Sequence, residues 1–272
     1  MNPLEWLPLS WFDFDFMRHA LLAILLAAPL FGLLGSLIIN SEMVFFSDAM
    51  GHAALTGIAI GALLGLGNPL PAMILFAILL AGVITLLHRH STARMDTLIG
   101  LIMAFTVALG VVLLSRGGGF ARYARYLIGD VLTITPMELI QLAVLLAITL
   151  VLWFFFFNRL FFIQLNRSLA ISRGIRIWRM ETLFTMVVAV VVTVSVQWVG
   201  LLVINSLLIL PAAAARNLAR HTASYVLLTI LISMAASVAG LVSSFYWDTA
   251  TGATIVLYAM GFYVLSVLLR RR

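Results

Sequence analysis

Seven times along this 272-residue sequence, 19 or more residues pass without an Asp, Glu, Lys, Arg or His: 20–41, 53–87, 97–115, 139–158, 182–215, 222–247 and 249–269. A helix rising about 1.5 Å per residue needs about 20 apolar residues to cross a hydrocarbon layer about 30 Å thick. Each run is therefore long enough to span a bilayer. Two are too long for a single crossing. Asn68, Pro69 and Pro71 form a turn signal that divides the first of these, and Gln197-Trp198-Val199-Gly200 is the natural break in the second. The apolar residues are continuous rather than alternating, which argues against a transmembrane barrel. The expected fold is all-α, a polytopic transmembrane bundle of about nine spans, with eight to ten as the range.

Composition narrows the function. Only 10% of residues are charged, against about 25% in soluble domains, and mean hydropathy is +1.16, so a water-soluble fold is excluded. The net charge of +6 could suggest nucleic acid. The basic residues, however, sit in short loops between apolar runs, where they report topology; no nucleic-acid partner is expected, and the surrounding lipid bilayer is. Cysteine is absent, which removes disulfides, thiolate metal sites and cysteine nucleophiles. All 16 basic residues are arginine. A P-loop needs its lysine, so this chain is not a P-loop ATPase by itself, and no enzyme constellation such as HExxH is present.

Arginine placement sets the expected orientation. If the turn at 88–95 is cytoplasmic, alternation puts 158–180, 216–221 and the C-terminus on the same side, with twelve of the sixteen arginines. The N-terminus is then outside and the C-terminus inside. The basic stretch from Arg116 to Arg125 is the weak point of that count. Residues 1–18 (Trp6, Trp11, Phe12, Phe14, Phe16, with Glu5, Asp13 and Asp15) read as an N-terminal interfacial segment; residues 19–272 form one transmembrane domain.

Ionisable side chains in spanning helices are functional candidates. Asp48 and His52, in Ser47-Asp48-Ala49-Met50-Gly51-His52, are four apart and so share a helix face one turn from each other. An oxygen and an imidazole nitrogen at that spacing can grip a divalent cation, and the mix suits zinc or manganese better than calcium or magnesium. The bland alternative is that Asp48 caps the helix and His52 bonds to it. Gly51, Gly57, Gly61 and the alanines among them read as a face for close helix packing. Asn205 and Ser206, with Pro211 beyond them, are a polar pair above a kink; they either line a pathway or bond to neighbouring helices. Glu42, Glu138 and Glu181 are explained as solvated helix ends, and Asp130 as a turn or cap. The segment 158–180 is the longest cytoplasmic loop, and its stretch NRSLAISRG at 166–174 reads as a short helix ended by glycine.

Five blocks carry a family resemblance: MVFFSDAMGHAALTGIAIG at 43–61, DTLIGLIMAFTVALGVVLLS at 96–115, YLIGDVLTIT at 126–135, the stretch 158–175, and VGLLVINSLLILPAAAARNLAR at 199–220. In this order and at these distances they resemble the membrane permease of bacterial zinc/manganese ABC importers, over nearly the full chain. The resemblance implies a type II importer fold and a multi-pass protein of the bacterial cytoplasmic (inner) membrane. It implies a homodimer of permeases bound to cytoplasmic ABC ATPase subunits that carry the ATP, and fed by an extracytoplasmic metal-binding protein. Asp48 and His52 match the family's metal pathway, with Ser47, Asn205 and Ser206 as candidates to line it; the cargo is zinc or manganese, with iron also compatible. Asn166, Arg167, Ala170, Arg173 and Gly174 match the segment that couples to the ATPase. Relatives commonly have basic residues where this chain has Ser41-Glu42, and acidic ones where it has Asn166 and Ser168.

Two other readings remain open at this level. An ion-gradient-driven secondary carrier would use Asp48 as its coupling carboxylate. An ABC permease for a metal chelate would need a wider pathway and little from Asp48 and His52.

Overall fold

A computed structural model describes residues 10–116 and 130–270. Arg122 and Arg125 of the basic stretch lie outside them. Ten α-helices are present among the described residues: α1 (Asp15–Asn40), α2 (Phe46–Leu63), α3 (Leu70–His90), α4 (Met95–Arg116), α5 (Pro136–Leu165), the short α6 (Arg167–Ser172), α7 (Ile177–Val199), α8 (Leu201–Leu218), α9 (Thr222–Trp247) and α10 (Thr251–Leu268). No strand occurs among these residues. Eight of the helices are long and apolar enough to cross a membrane. The remaining long helix, α2, has 18 residues and carries Asp48 and His52.

Both expected breaks are where the long runs divide. Gly200, at φ +87°, ends α7 and begins α8 in a conformation that favours glycine. After α2, Asn68 Oδ1 accepts from the Leu70 N–H at 2.9 Å and starts α3. α5 opens with a capping box, Thr135 and Glu138 bonding reciprocally, which accounts for Glu138 as a helix-end residue. At the N-terminus, Ser10–Asp13 make a single 3-10 turn. α1 starts at Asp15, so the spanning helix begins inside the segment 1–18.

α1 is the most enclosed spanning helix and α5 the least. α1 packs against α9, α8 and α5, and α10 closes on α8 and α9. α2 lies between α3 and α4, with α7 along α3. Close approach is built from small residues, as lipid offers no hydrophobic drive between helices. A Cβ on Gly57 would stand 2.6 Å from the Met73 Cα, and one on Gly35 would collide with the Leu208 carbonyl. Hydroxyls staple helices to neighbouring backbone: Thr56 Oγ1 donates to the Thr106 carbonyl at 2.6 Å, and Ser233 Oγ to the Ala28 carbonyl at 3.0 Å. Inside a bilayer these polar groups have no water to turn to.

Candidate functional site

Asp48 stands in the first turn of α2, where a carboxylate could serve as a cap. It does not. The N-cap position belongs to Phe45, with no side-chain bond. The carboxylate instead reaches α8, where Asn205 Nδ2 donates to Asp48 Oδ1 at 2.8 Å. His52 Nε2 stands 3.6 Å from that same oxygen. This is beyond hydrogen-bond length, so the imidazole is beside the carboxylate without being tied to it. One oxygen thus faces an amide donor from one helix and an imidazole from its own. Gly51 makes the approach possible, because Leu201 at the head of α8 occupies the space a Cβ would fill. The small-residue run therefore serves helix packing, and that packing aims the Asp48 face at α8.

Of the pathway candidates, Asn205 joins Asp48 at the wall of a cavity of about 660 Å³, formed with residues 199–203 of the α7–α8 junction, 249–253 of the α9–α10 turn, and 130–132. Ser47 is fully buried with its Oγ unpartnered, and Ser206 donates to the Val203 carbonyl at 2.9 Å. Neither lines the cavity. Asp130 behaves as a cap, accepting from the Leu132 N–H at 3.0 Å. It also lines the Asp48 cavity, a position that nothing in its local sequence signals.

The donor set is incomplete within one chain. Among the described residues no three His, Asp or Glu side chains converge closely enough to hold a metal ion. Asp48 and His52 supply one oxygen donor and one nitrogen donor, each side chain about a third exposed (32%). The Asn205 Oδ1 is buried and unpartnered beside them. A tetrahedral site needs four donors, so this constellation is half a shell.

The stretch 166–174 folds as expected. The Asn166 side chain caps α6 by accepting from the Leu169 N–H at 3.0 Å, and Gly174 closes it at φ +72°. The Gly174 N–H reaches the Ile171 carbonyl and the Ile175 N–H the Ala170 carbonyl, which is a Schellman closure. Ala170 is fully buried and anchors the segment, while Leu169 and Ile171 are exposed. Arg173 lies over the Phe162 ring, 4.8 Å from its centre, and Arg167 pairs with Glu181 at 3.0 Å.

The chain is similar to known transport proteins along nearly its whole length. The chain is 33% identical over 264 residues to the high-affinity zinc uptake system membrane protein ZnuB of Haemophilus influenzae, covering 95% of this chain and 99% of that protein. It is 29% identical over 255 residues to the manganese import system permease protein ScaB of Streptococcus gordonii, covering 93% and 91%. Among solved structures, PsaBC from Streptococcus pneumoniae in complex with Fab matches with a TM-score of 0.81 and 29% identity over 94% of each chain. The ABC 3 transport family matches residues 13–270, nearly the whole sequence, and the chain belongs to that family.

Proposed function

We propose that this chain is the membrane-spanning permease subunit of an ATP-driven importer of divalent transition metal ions, zinc or manganese, in a bacterial cytoplasmic membrane. The observation that carries this reading is the single Asp48 oxygen that accepts from the Asn205 amide, with the His52 imidazole 3.6 Å away, beside a cavity that Asp48 and Asn205 line. A divalent cation loses hydration on entering a bundle, and a carboxylate with free lone pairs offsets that loss. Asn205 holds the carboxylate from one side and keeps its other lone pairs available. His52, neutral when it ligates, adds a nitrogen that favours transition metals over calcium or magnesium. A two-fold pair of permeases would bring two such half-shells to a common axis. A transit site must also release its cargo, which an open shell does better than a closed one.

In this reading the N-terminus is outside and the Asp48 cavity faces an extracytoplasmic binding protein. Residues 1–18 lie at the outer interface. ATP hydrolysis belongs to a separate ATPase that grips α6. The exposed Leu169 and Ile171, above the buried Ala170, give that partner an apolar contact on a rigid turn. The deciding measurement is uptake of radioactive zinc and manganese by cells expressing the whole importer with Asp48→Asn or His52→Ala. Uptake should fall to background at matched protein levels. Undiminished uptake removes the site. Charge reversal at Arg173 should weaken co-purification with the ATPase; unaltered assembly and uptake would reduce the loop to a topological anchor.

A further inference from the structure

A second cavity, of about 430 Å³, is enclosed by the α1–α2 connection and the ends of α3, α5 and α7, and its polar lining includes Glu42, His88, Arg94, Gln164, Arg167 and Glu181. Glu42 and Arg94 are largely exposed, as solvated ends should be, whereas Glu181 is two-thirds covered. Both carboxylates already hold an arginine: Glu181 pairs with Arg167 at 3.0 Å and Glu42 with Arg94 at 3.4 Å. Two polar atoms hold nothing. His88 Nδ1 is buried without a partner, and so is Gln164 Oε1, although the Gln164 Nε2 donates to the Leu37 carbonyl and to Ser41 Oγ. His88 and Glu181 line this cavity together. His88 also sits in the last turn of α3, where the helix dipole favours a cation. Glu42 adds a further sign of constraint: it takes φ +55°, a left-handed conformation rarely adopted outside glycine and asparagine.

The two cavities are neighbours along the chain. Glu42 lines this one and Asp48 the other, with Met43 and Phe46, both buried, between them in sequence. The α1–α2 connection and the first turn of α2 thus carry one carboxylate to each cavity. We infer that the second cavity is a release station for the divalent cation, with His88 and Glu181 as its ligands and Arg167 as the internal counter-cation that holds Glu181 when cargo is absent. The inference rests on the proposed transport of such a cation. The step is a ligand exchange: the Arg167 N–H bonds to Glu181 break, a metal–oxygen bond replaces them, and neutral His88 supplies the nitrogen. Arg167 is also the first residue of α6, so occupancy of the pocket and the position of the coupling helix compete for one carboxylate. Two protein ligands with water completing the shell make a weak site, as release requires.

The test uses the full-length chain in lipid nanodiscs, with Asp48→Asn and His52→Ala both present, and Mn2+ as the probe read by electron paramagnetic resonance. Weakly bound Mn2+ with histidine nitrogen coupling is expected to persist. Adding His88→Ala should remove the nitrogen coupling, and Glu181→Gln should weaken binding about tenfold. Arg167→Gln should do the opposite and tighten it about threefold, because the competing cation is gone. Absence of bound Mn2+ in the double-variant background, coupling that survives His88→Ala, or weaker or unchanged binding in Arg167→Gln would each overturn the inference. Uptake by the Asp48 and His52 variants judges the proposed route separately, since it is read in cells and not in this pocket.

Discussion

The Asp48 cavity and the Glu181 cavity each present carboxylates and a primary amide, with an imidazole beside Asp48 in the first and lining the second, yet they treat positive charge in opposite ways. No arginine lines the Asp48 cavity among the described residues, and the partner donating to Asp48 is the uncharged amide of Asn205. In the Glu181 cavity each carboxylate is matched to a guanidinium. The difference teaches that a carboxylate inside a membrane protein can be satisfied without being neutralised. Asp48 accepts from an uncharged amide, whereas Glu181 is paired with the guanidinium of Arg167.

Breaking the comparison at its strongest point means removing the carboxylate that has no counter-cation. Asp48→Ala should lower metal uptake by more than about 100-fold, beyond what loss of an outer-shell partner does, while Asp130→Ala, altering a cap in the same cavity, should not approach that loss. Equal effects would mean that the cavity wall as a whole matters and not the Asp48 charge. Next in size is Asn205→Leu. Losing the donor that orients Asp48 should raise the half-saturating metal concentration about tenfold, at unchanged protein levels; a silent variant would make the amide a packing residue.

The other cavity is sharpened by stability measurements. Gln164→Ala deletes bonds to the Leu37 carbonyl and Ser41 Oγ and should cost about 1–2 kcal/mol, read as a lower thermal midpoint in detergent. The smallest effect has the reverse sign. Glu42→Gly relieves a left-handed conformation and should stabilise the chain by about 1 kcal/mol, whereas Glu42→Gln, with the same backbone requirement, should not. A destabilised glycine variant would show that the Glu42–Arg94 pair outweighs the backbone term.

Much of this architecture is legible in the sequence. The bilayer imposes a length on every span and forbids unpaired backbone, so runs of uncharged residues and the breaks at 68–71 and 197–200 mark helices directly. The pair Asp48 and His52 was legible for a similar reason: a spacing of four fixes a shared face whatever surrounds it. Ser47 and Ser206 show where this stops. Each adjoins a residue that lines the cavity, but one step along a helix turns a side chain by about 100°, and both point into packed structure. Glu42 and Glu181 read as solvated helix ends, and Glu42 is largely exposed, but no local signal shows that both line one pocket with His88.

From the order of residues alone follow the all-helical membrane fold, the points where spans divide, the Asp48–His52 face and the capped turn at 166–174. Each depends on local periodicity or on the thickness of hydrocarbon, and neither needs a distant partner. The tertiary structure alone decided that Asn205, 157 positions away, holds Asp48, and that Arg167 reaches Glu181 beside His88. Those contacts depend on how helices rotate and cross, which is set by the glycines and alanines where backbones meet and leaves no periodic trace in the polar residues themselves.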